Sequence, residues 1–362
     1  MKRLSKQTRW WLIQLSRVLK RKLTRELIRK RRYKKRRTNS NTNTKSTIVE
    51  ESISAPRAFN IEDKKTRKHV IKFLHDLRKI FARSDIQKVI IDFTNTDKFI
   101  ADATLLFYAE LSHLIGMKQN GIVIKYRPPI NDRASEVLHQ IGFYTMCGGK
   151  TRKRSTKNYD DVVHWRVAQG SVVDNSICAD AIEKYEGQLA EPLINGLFRG
   201  LGEAMTNTIH HAYINTRDDG LNYSPPTKNW WMFSQARNNY LSVVFCDLGI
   251  GIPNTLPIQK PYLFKILDSL GMTGKDSEYI KIAIEDKRTR TNQPERGKGL
   301  GDIVDVITKQ NSGTVRIHSN SGIFIKDETR TVTRDLKESI LGTLIYWRVP
   351  LTNEPYRERE NN

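Results

Sequence analysis

The chain has only three cysteines, Cys147, Cys178 and Cys246, far apart and without metal-ligand spacing. That argues against a disulfide framework and a cysteine-based zinc site, and fits inert thiols in a reducing compartment. Long hydrophobic runs are also missing, since nothing approaches the ~18–20 apolar residues that cross a bilayer. At the N-terminus, Trp10-Trp11-Leu12-Ile13 is interrupted by Gln14 and Arg17, too short for the apolar core of a secretory signal. The expectation is a cytoplasmic protein. Acidic residues are scarce as well, with 39 Asp and Glu against 62 Lys and Arg, a net charge of +23. The imbalance is local: Met1 to Arg37 holds 17 Lys and Arg against Glu26 alone, about +16, which leaves about +7 for the other 325 residues. The basicity belongs to an arm and says little about the folded part.

What remains is enough for packed cores. Hydrophobic residues make up 38% of the 362 and aromatic residues 9%, which excludes a chain disordered throughout. The length suggests about two domains plus tails. Residues 1–47 read as a basic amphipathic arm and flexible linker: Trp11, Leu15, Val18, Leu19 and Leu23 recur at helical spacing, with Arg and Lys between them. Residues 48–149 alternate helix and strand, with helices expected over His69 to Ala82, Ala103 to Met117 and Ala134 to Ile141. Strands are expected at Val89 to Phe93 and Gly121 to Tyr126, a pattern that favours a small α/β domain. Residues 150–161 form a basic linker, 162–352 a second domain, and 353–362 a polar tail. The longest helix of the second domain spans Leu193 to Tyr213. Strands are expected at Trp230 to Ala236, Leu241 to Phe245, Thr314 to His318 and Thr343 to Val349, with a further helix over Leu300 to Thr308.

Four segments of the second domain carry candidate chemistry. In Gly202-Glu203-Ala204-Met205-Thr206-Asn207-Thr208-Ile209-His210-His211-Ala212, the residues Glu203, Asn207 and His211 fall four apart, one polar stripe on an apolar helix. A carboxylate and a carboxamide one turn apart can activate a water and ligate a hard cation, although such a stripe is also what a solvated helix face looks like. Next, the strand Val243 to Cys246 runs into Asp247, followed by Gly249 and Gly251. A carboxylate at a buried strand end needs a donor, and a nucleobase amine would serve. Then Arg296-Gly297-Lys298-Gly299-Leu300-Gly301-Asp302 places alternating glycines before a helix, a backbone N–H cradle suited to phosphate. Last, Gly342-Thr343 opens the final strand.

In this order the segments resemble the N box, G1 box, G2 box and final Gly-Thr strand of the GHKL superfamily of Bergerat-type ATP-binding domains. The resemblance implies an α/β two-layer sandwich, a mixed and mainly antiparallel sheet covered by helices, that binds ATP and Mg. It implies Glu203 as general base and Asn207 as the Mg ligand. Asp247 would accept from the adenine amine with Thr343 supporting it, and Gly249 and Gly251 would hinge a lid over Asn254 to Glu295. Gly297, Gly299 and Gly301, with Leu300 among them, would cradle the phosphates, and Lys298 would neutralise charge there. His211 matches the family pattern as a nucleotide-site residue or as a structural helix-end residue. The helix Glu203 to Tyr213 is particularly similar to that of the anti-sigma-factor serine kinases. Three activities follow: an ATPase that acts as a conformational switch, a serine/threonine kinase of anti-sigma type, or an ATP-sensing scaffold without turnover. No His-Glu-aromatic-Arg-Thr-Pro helix is present, which disfavours a sensor histidine kinase.

Residues 48–149 resemble the STAS (anti-sigma antagonist) fold through Val89 to Phe93, Phe99 to Thr104 and the following helix and strand. In that family a phosphorylatable serine follows the aspartate, whereas Ala103 follows Asp102 here. The resemblance therefore implies a module that docks a protein partner or senses a signal. The arm of residues 1–37 suits nucleic acid, DNA or RNA, or an anionic membrane surface with Trp10 and Trp11 as anchors, or neither. A nucleotide-dependent homodimer is compatible with the same reading.

Overall fold

The computed structural model describes residues 49–117, 121–149, 159, 162, 165–182, 185, 188–221, 227–269, 274–285, 300–301, 303–304 and 313–351. Met1–Thr47 forms one unit of the chain and Ile48–Asn362 another. The expected basic helix and linker of the arm lie outside the described residues, as do Gly297, Lys298 and Gly299.

The second unit opens with strands β1 (Glu50–Ser54) and β2 (Ala58–Phe59), helix α1 (Lys64–Ala82), and strands β3 (Lys88–Asp92) and β4 (Lys98–Phe99). Helix α2 (Ala101–Gly116), strand β5 (Val123–Arg127) and helices α3 (Asp132–Gln140) and α4 (Phe143–Met146) follow. Local chemistry sets the boundaries. The Asp63 carboxylate accepts from the N–H groups of Lys65 and Thr66 to start α1, and Asn131 does the same for α3 through Ala134 N–H. Strands β1, β3 and β5 pair in parallel in the order β1-β3-β5, with β2 and β4 a separate parallel pair.

Then come β6 (Arg166–Gly170), α5 (Ser176–Ile182), α6 (Glu191–Asn207) with a π-helical turn over Thr208–Ala212, β7 (Trp230–Arg237) and β8 (Tyr240–Asp247). Helices α7 (Ile252–Gln259), α8 (Pro261–Ser269) and α9 (Asp276–Glu285) precede strands β9 (Thr314–Ser319), β10 (Gly322–Asp327), β11 (Thr331–Asp335) and β12 (Thr343–Pro350). The last four strands and β6 to β8 form one seven-stranded sheet, ordered β11-β10-β9-β12-β8-β7-β6, with every adjacent pair antiparallel. Asn238 and Asn239, both at positive φ (51° and 59°), make the two-residue turn between β7 and β8, the geometry that matches strand twist in a hairpin.

The pleat sends alternate side chains to two different cores. Trp230, Met232, Val243, Phe245, Ile345 and Trp347 pack with Leu197, Leu201 and Met205 of α6. Trp231, Phe233, Val244, Cys246 and Leu344 pack with the core of the first α/β segment. Each large side chain so buried contributes on the order of 1.5–3 kcal/mol. The sheet is thus covered on both faces over β7, β8 and β12, and the expected two-layer sandwich gains a third layer there. Helix α2 supplies it: Leu105, Leu106, Phe107, Ala109, Leu111 and Leu114 are all buried, as a helix apolar on every side requires.

Candidate functional site

The expected continuous helix from Leu193 to Tyr213 ends instead as α6 at Asn207, followed by a π-helical turn. Three contacts account for the change. Thr208 Oγ1 donates back to Ala204 O (2.9 Å), Ile250 N–H donates to Ala212 O (2.8 Å), and Lys228 Nζ donates to Ile209 O (2.7 Å). The loop after β8 therefore takes over a carbonyl at the end of the helix, and the widened turn carries His210 and His211. Such π-turns concentrate at functional sites.

The sheet register places Asp247. Across the strands, Trp230, Asp247, Thr343 and Ser319 are successive neighbours, so the end of β8 and the start of β12 meet side by side. The Asp247 carboxylate accepts from Gly249 N–H (2.9 Å). Burial pushes its pKa up to about 7, although the Gly249 N–H, the Arg217 guanidinium and the Thr343 N–H all favour the charged form. Thr343 Oγ1 lies 3.0 Å from Ser319 Oγ, which in turn accepts from Ile252 N–H (2.9 Å) at the start of α7.

The glycines after Asp247 are needed for space as well as for conformation. A Cβ on Gly249 would stand 2.3 Å from Ala212 O. Gly251 has φ +81°, and a Cβ there would come within 2.6 Å of the Asn320 side chain, which donates to Ile250 O (2.9 Å). Gly249 thus lets the loop approach the helix end closely, and Gly251 alone of the two adopts a left-handed backbone. The sequence expectation that both are hinges gives no account of this packing.

These elements enclose a cavity of about 80 Å³. Asn207 and His211 from α6 and its π-turn, Asp247, Gly251, Leu300 and Thr343 all line it, with Ile252, Thr255, Leu256 and Gln259 of α7 and Ala283 of α9 closing it. Six of the expected residues, up to 136 positions apart, thus share one cavity wall. Glu203, one turn before Asn207 and half-buried, is not among the lining residues, nor are Gly249 and Gly301. The expected lid over Asn254 to Glu295 holds helices α7, α8 and α9 among its described residues. Asn207 Nδ2 is buried and has no hydrogen-bond partner among the described residues, a group that ordinarily finds one. Burial, followed by the neighbouring His210, holds the His211 imidazole below its ordinary pKa, so it is neutral at physiological pH.

Sequence reasoning missed the residues beneath the cavity. Tyr213 Oη donates to Asn229 O (2.6 Å) and accepts from Leu248 N–H (3.0 Å), which clamps the loop after Asp247. Arg217, 2% exposed at its side chain, donates to both oxygens of Glu110 on α2 (2.8 and 3.0 Å), to Asp219 (2.9 Å) and to Leu341 O (2.9 Å). Arg78 of α1 donates to the same Glu110 (2.7 Å). Burial alone would raise the Glu110 pKa; Arg217 and Arg78 overcome it and hold the carboxylate below its ordinary range. The one sequence signal for this network was a glutamate amid the apolar run of α2, which single-sequence reasoning cannot pair with an arginine 107 positions away.

No family model matches the chain, and no curated protein matches it. Among the described residues no cluster of three or more His, Cys, Asp or Glu could hold a metal, and no helix is long and apolar enough to cross a membrane.

Proposed function

We propose that this chain is a Mg-ATP-binding protein of GHKL type, an ATPase whose nucleotide pocket works as a conformational switch and regulates a partner through the first α/β segment. The observation that carries the reading is the convergence of four separate motifs on one cavity wall: Asn207 and His211, Asp247 and Gly251, Leu300, and Thr343. Asp247, buried and ionisable near neutrality, would accept from the exocyclic amine of adenine. Asn207, whose amide nitrogen is unpartnered among the described residues, offers a carboxamide oxygen of the type that Mg accepts alongside phosphate oxygens and waters. Bound Mg would neutralise phosphate charge. Glu203, one turn back along α6, would orient and deprotonate the attacking water. Gly297, Lys298, Gly299 and Gly301 would receive the phosphates.

The cavity of about 80 Å³ is smaller than the ~300 Å³ at which pockets for drug-sized ligands begin. We take α7 as the wall that moves on nucleotide entry: its first N–H rests on Ser319 Oγ. A movement there would pull on Ser319 and Thr343, and through Leu341 O on Arg217 and α2, a contiguous path to the first α/β segment.

The test follows γ-labelled ATP incubated with the full chain and Mg, beside Glu203→Ala. The switch reading expects label released as free phosphate by the wild type and ATP bound but unturned by the variant. Unchanged turnover in the variant would remove Glu203 from the base role. Label retained on a protein band would favour the kinase reading suggested by the likeness of the Glu203 to Tyr213 helix to anti-sigma kinases.

A further inference from the structure

The outer face of the seven-stranded sheet is covered by α2 over β7, β8 and part of β12, but not over β9, β10 and β11. There it floors a second cavity of about 520 Å³, well within the ~300–1,000 Å³ typical of small-molecule sites. The register determines what points into it. Arg334, Ile323, His318 and Leu344 are cross-strand neighbours in one row, and Ile325, Arg316 and Tyr346 in the next. The facing wall comes from Ile61, Glu62 and Arg67 and from Phe99 to Asp102 at the start of α2.

The unpaired charge in this cavity is positive. Arg67, one of its lining arginines, is paired with Glu338 (3.5 Å), and two acids, Glu62 and Asp102, line it as well. Both acids flank a single arginine, Arg316, with Asp102 3.3 Å away, and the same guanidinium lies over the Tyr346 ring at 4.8 Å. At the rim, Arg334 and Arg348 are exposed and make no ion pair with any described residue; Arg348 rests only on the Tyr240 ring at 3.8 Å. A concave surface with surplus guanidinium concentrates anions.

A second, independent feature lies on the floor. His318 is 2% exposed, lines the cavity, and its Nε2 has no hydrogen-bond partner among the described residues. A buried polar atom ordinarily has a hydrogen-bond partner, and a bound ligand would supply one here. Burial pushes the imidazole pKa down to about 3, so the ring is neutral and can donate to or accept from a polar ligand group.

We propose that this cavity is a second binding site, for a small organic anion with an apolar body and a phosphate or carboxylate head. Arg334, two strands from His318 in the same cross-strand row, receives the head, Ile323, Ile325 and Tyr346 receive the body, and His318 Nε2 receives a polar substituent. The site stands on the sheet face opposite the Asp247 cavity and does not depend on the nucleotide reading.

The test is calorimetric titration of the full chain with 1-naphthyl phosphate, with 1-naphthol as the headless control. Three proteins are compared: the wild type, Arg334→Gln with Arg348→Gln, and Asp247→Ala. One equivalent of the phosphate is expected to bind the wild type and Asp247→Ala alike. The double rim variant, whose changed side chains are exposed and leave the melting temperature in place, should bind at least tenfold more weakly, and 1-naphthol more weakly than the phosphate. Equal affinity in the wild type and the rim variant, loss of binding in Asp247→Ala, or no binding to the wild type would each overturn the proposal.

Discussion

Asp247 concentrates the physical chemistry of the first cavity. Its carboxyl has a pKa of about 7 against 3.8 for the unperturbed group. The folded protein thus holds the proton more tightly than the unfolded chain does. The associated stability is fully present below pH ~4 and is lost as the pH rises to ~7. Between pH 5 and pH 8 this amounts to about 2–3 kcal/mol. Asp247→Asn should abolish that part of the pH dependence, so urea unfolding at the two values would show a gap smaller by that amount. An identical gap in both proteins would mean that Asp247 is ionised throughout. The same group predicts a ligand effect. The carboxylate accepts from an adenine amine more strongly than the protonated carboxyl does, so adenosine, which has no phosphate to titrate, should bind more weakly as the pH falls below ~7, by at most roughly tenfold per pH unit. Flat affinity between pH 5 and 8 would exclude this mode of recognition.

At the scale of elements, the β8–β12 register and the π-turn after α6 do what no single motif does: they bring Asn207, Asp247 and Thr343 to one wall. The underlying ion network is the most vulnerable link. Removing one partner of a buried pair leaves the other charge uncompensated, at a cost of about 3–5 kcal/mol. Arg217→Met should therefore lower stability by that much, measured by chemical unfolding, whereas the exposed pair Arg57–Asp97 should tolerate Arg57→Met with less than ~1 kcal/mol of change. A small effect at Arg217 would show that the network is not what holds α2 to the sheet. Much of this layer was legible in the sequence. The strand at Thr343 and those flanking Asn238-Asn239 show in β-branched and aromatic runs with a turn between them, α1 and α3 show in their periodicity, and α2 in its long apolar run. The rest left weaker marks. Strands β10 and β11 are short and half-polar, so their alternation is faint. Helices α7 and α8 contain or begin with proline and resemble loop. The π-turn depends on Ile250 reaching Ala212 O, a tertiary contact that helical spacing does not encode. For the same reason the spacing aligned Glu203 with Asn207, yet only Asn207 reaches the cavity.

For the whole molecule, the notable feature is a sheet covered on both faces over β7, β8 and part of β12. Helix α6 covers the face bearing Asp247, and α2 covers the other, so the first α/β segment rests directly on the back of the candidate nucleotide site. Glu110 and Arg217 meet directly across that layer, 2.8 Å apart. A change at α7 thus has a physical route to the surface of the first segment, which is what a switch needs. The switch reading rests on nucleotide entering the Asp247 cavity. Equilibrium binding of Mg-ATP to the full chain, compared with Asp247→Ala whose folding is checked by its own melting curve, tests that most directly. Saturable binding by the wild type that weakens at least a hundredfold in the variant is the predicted result. No binding by the wild type, or equal binding by both proteins, would contradict it.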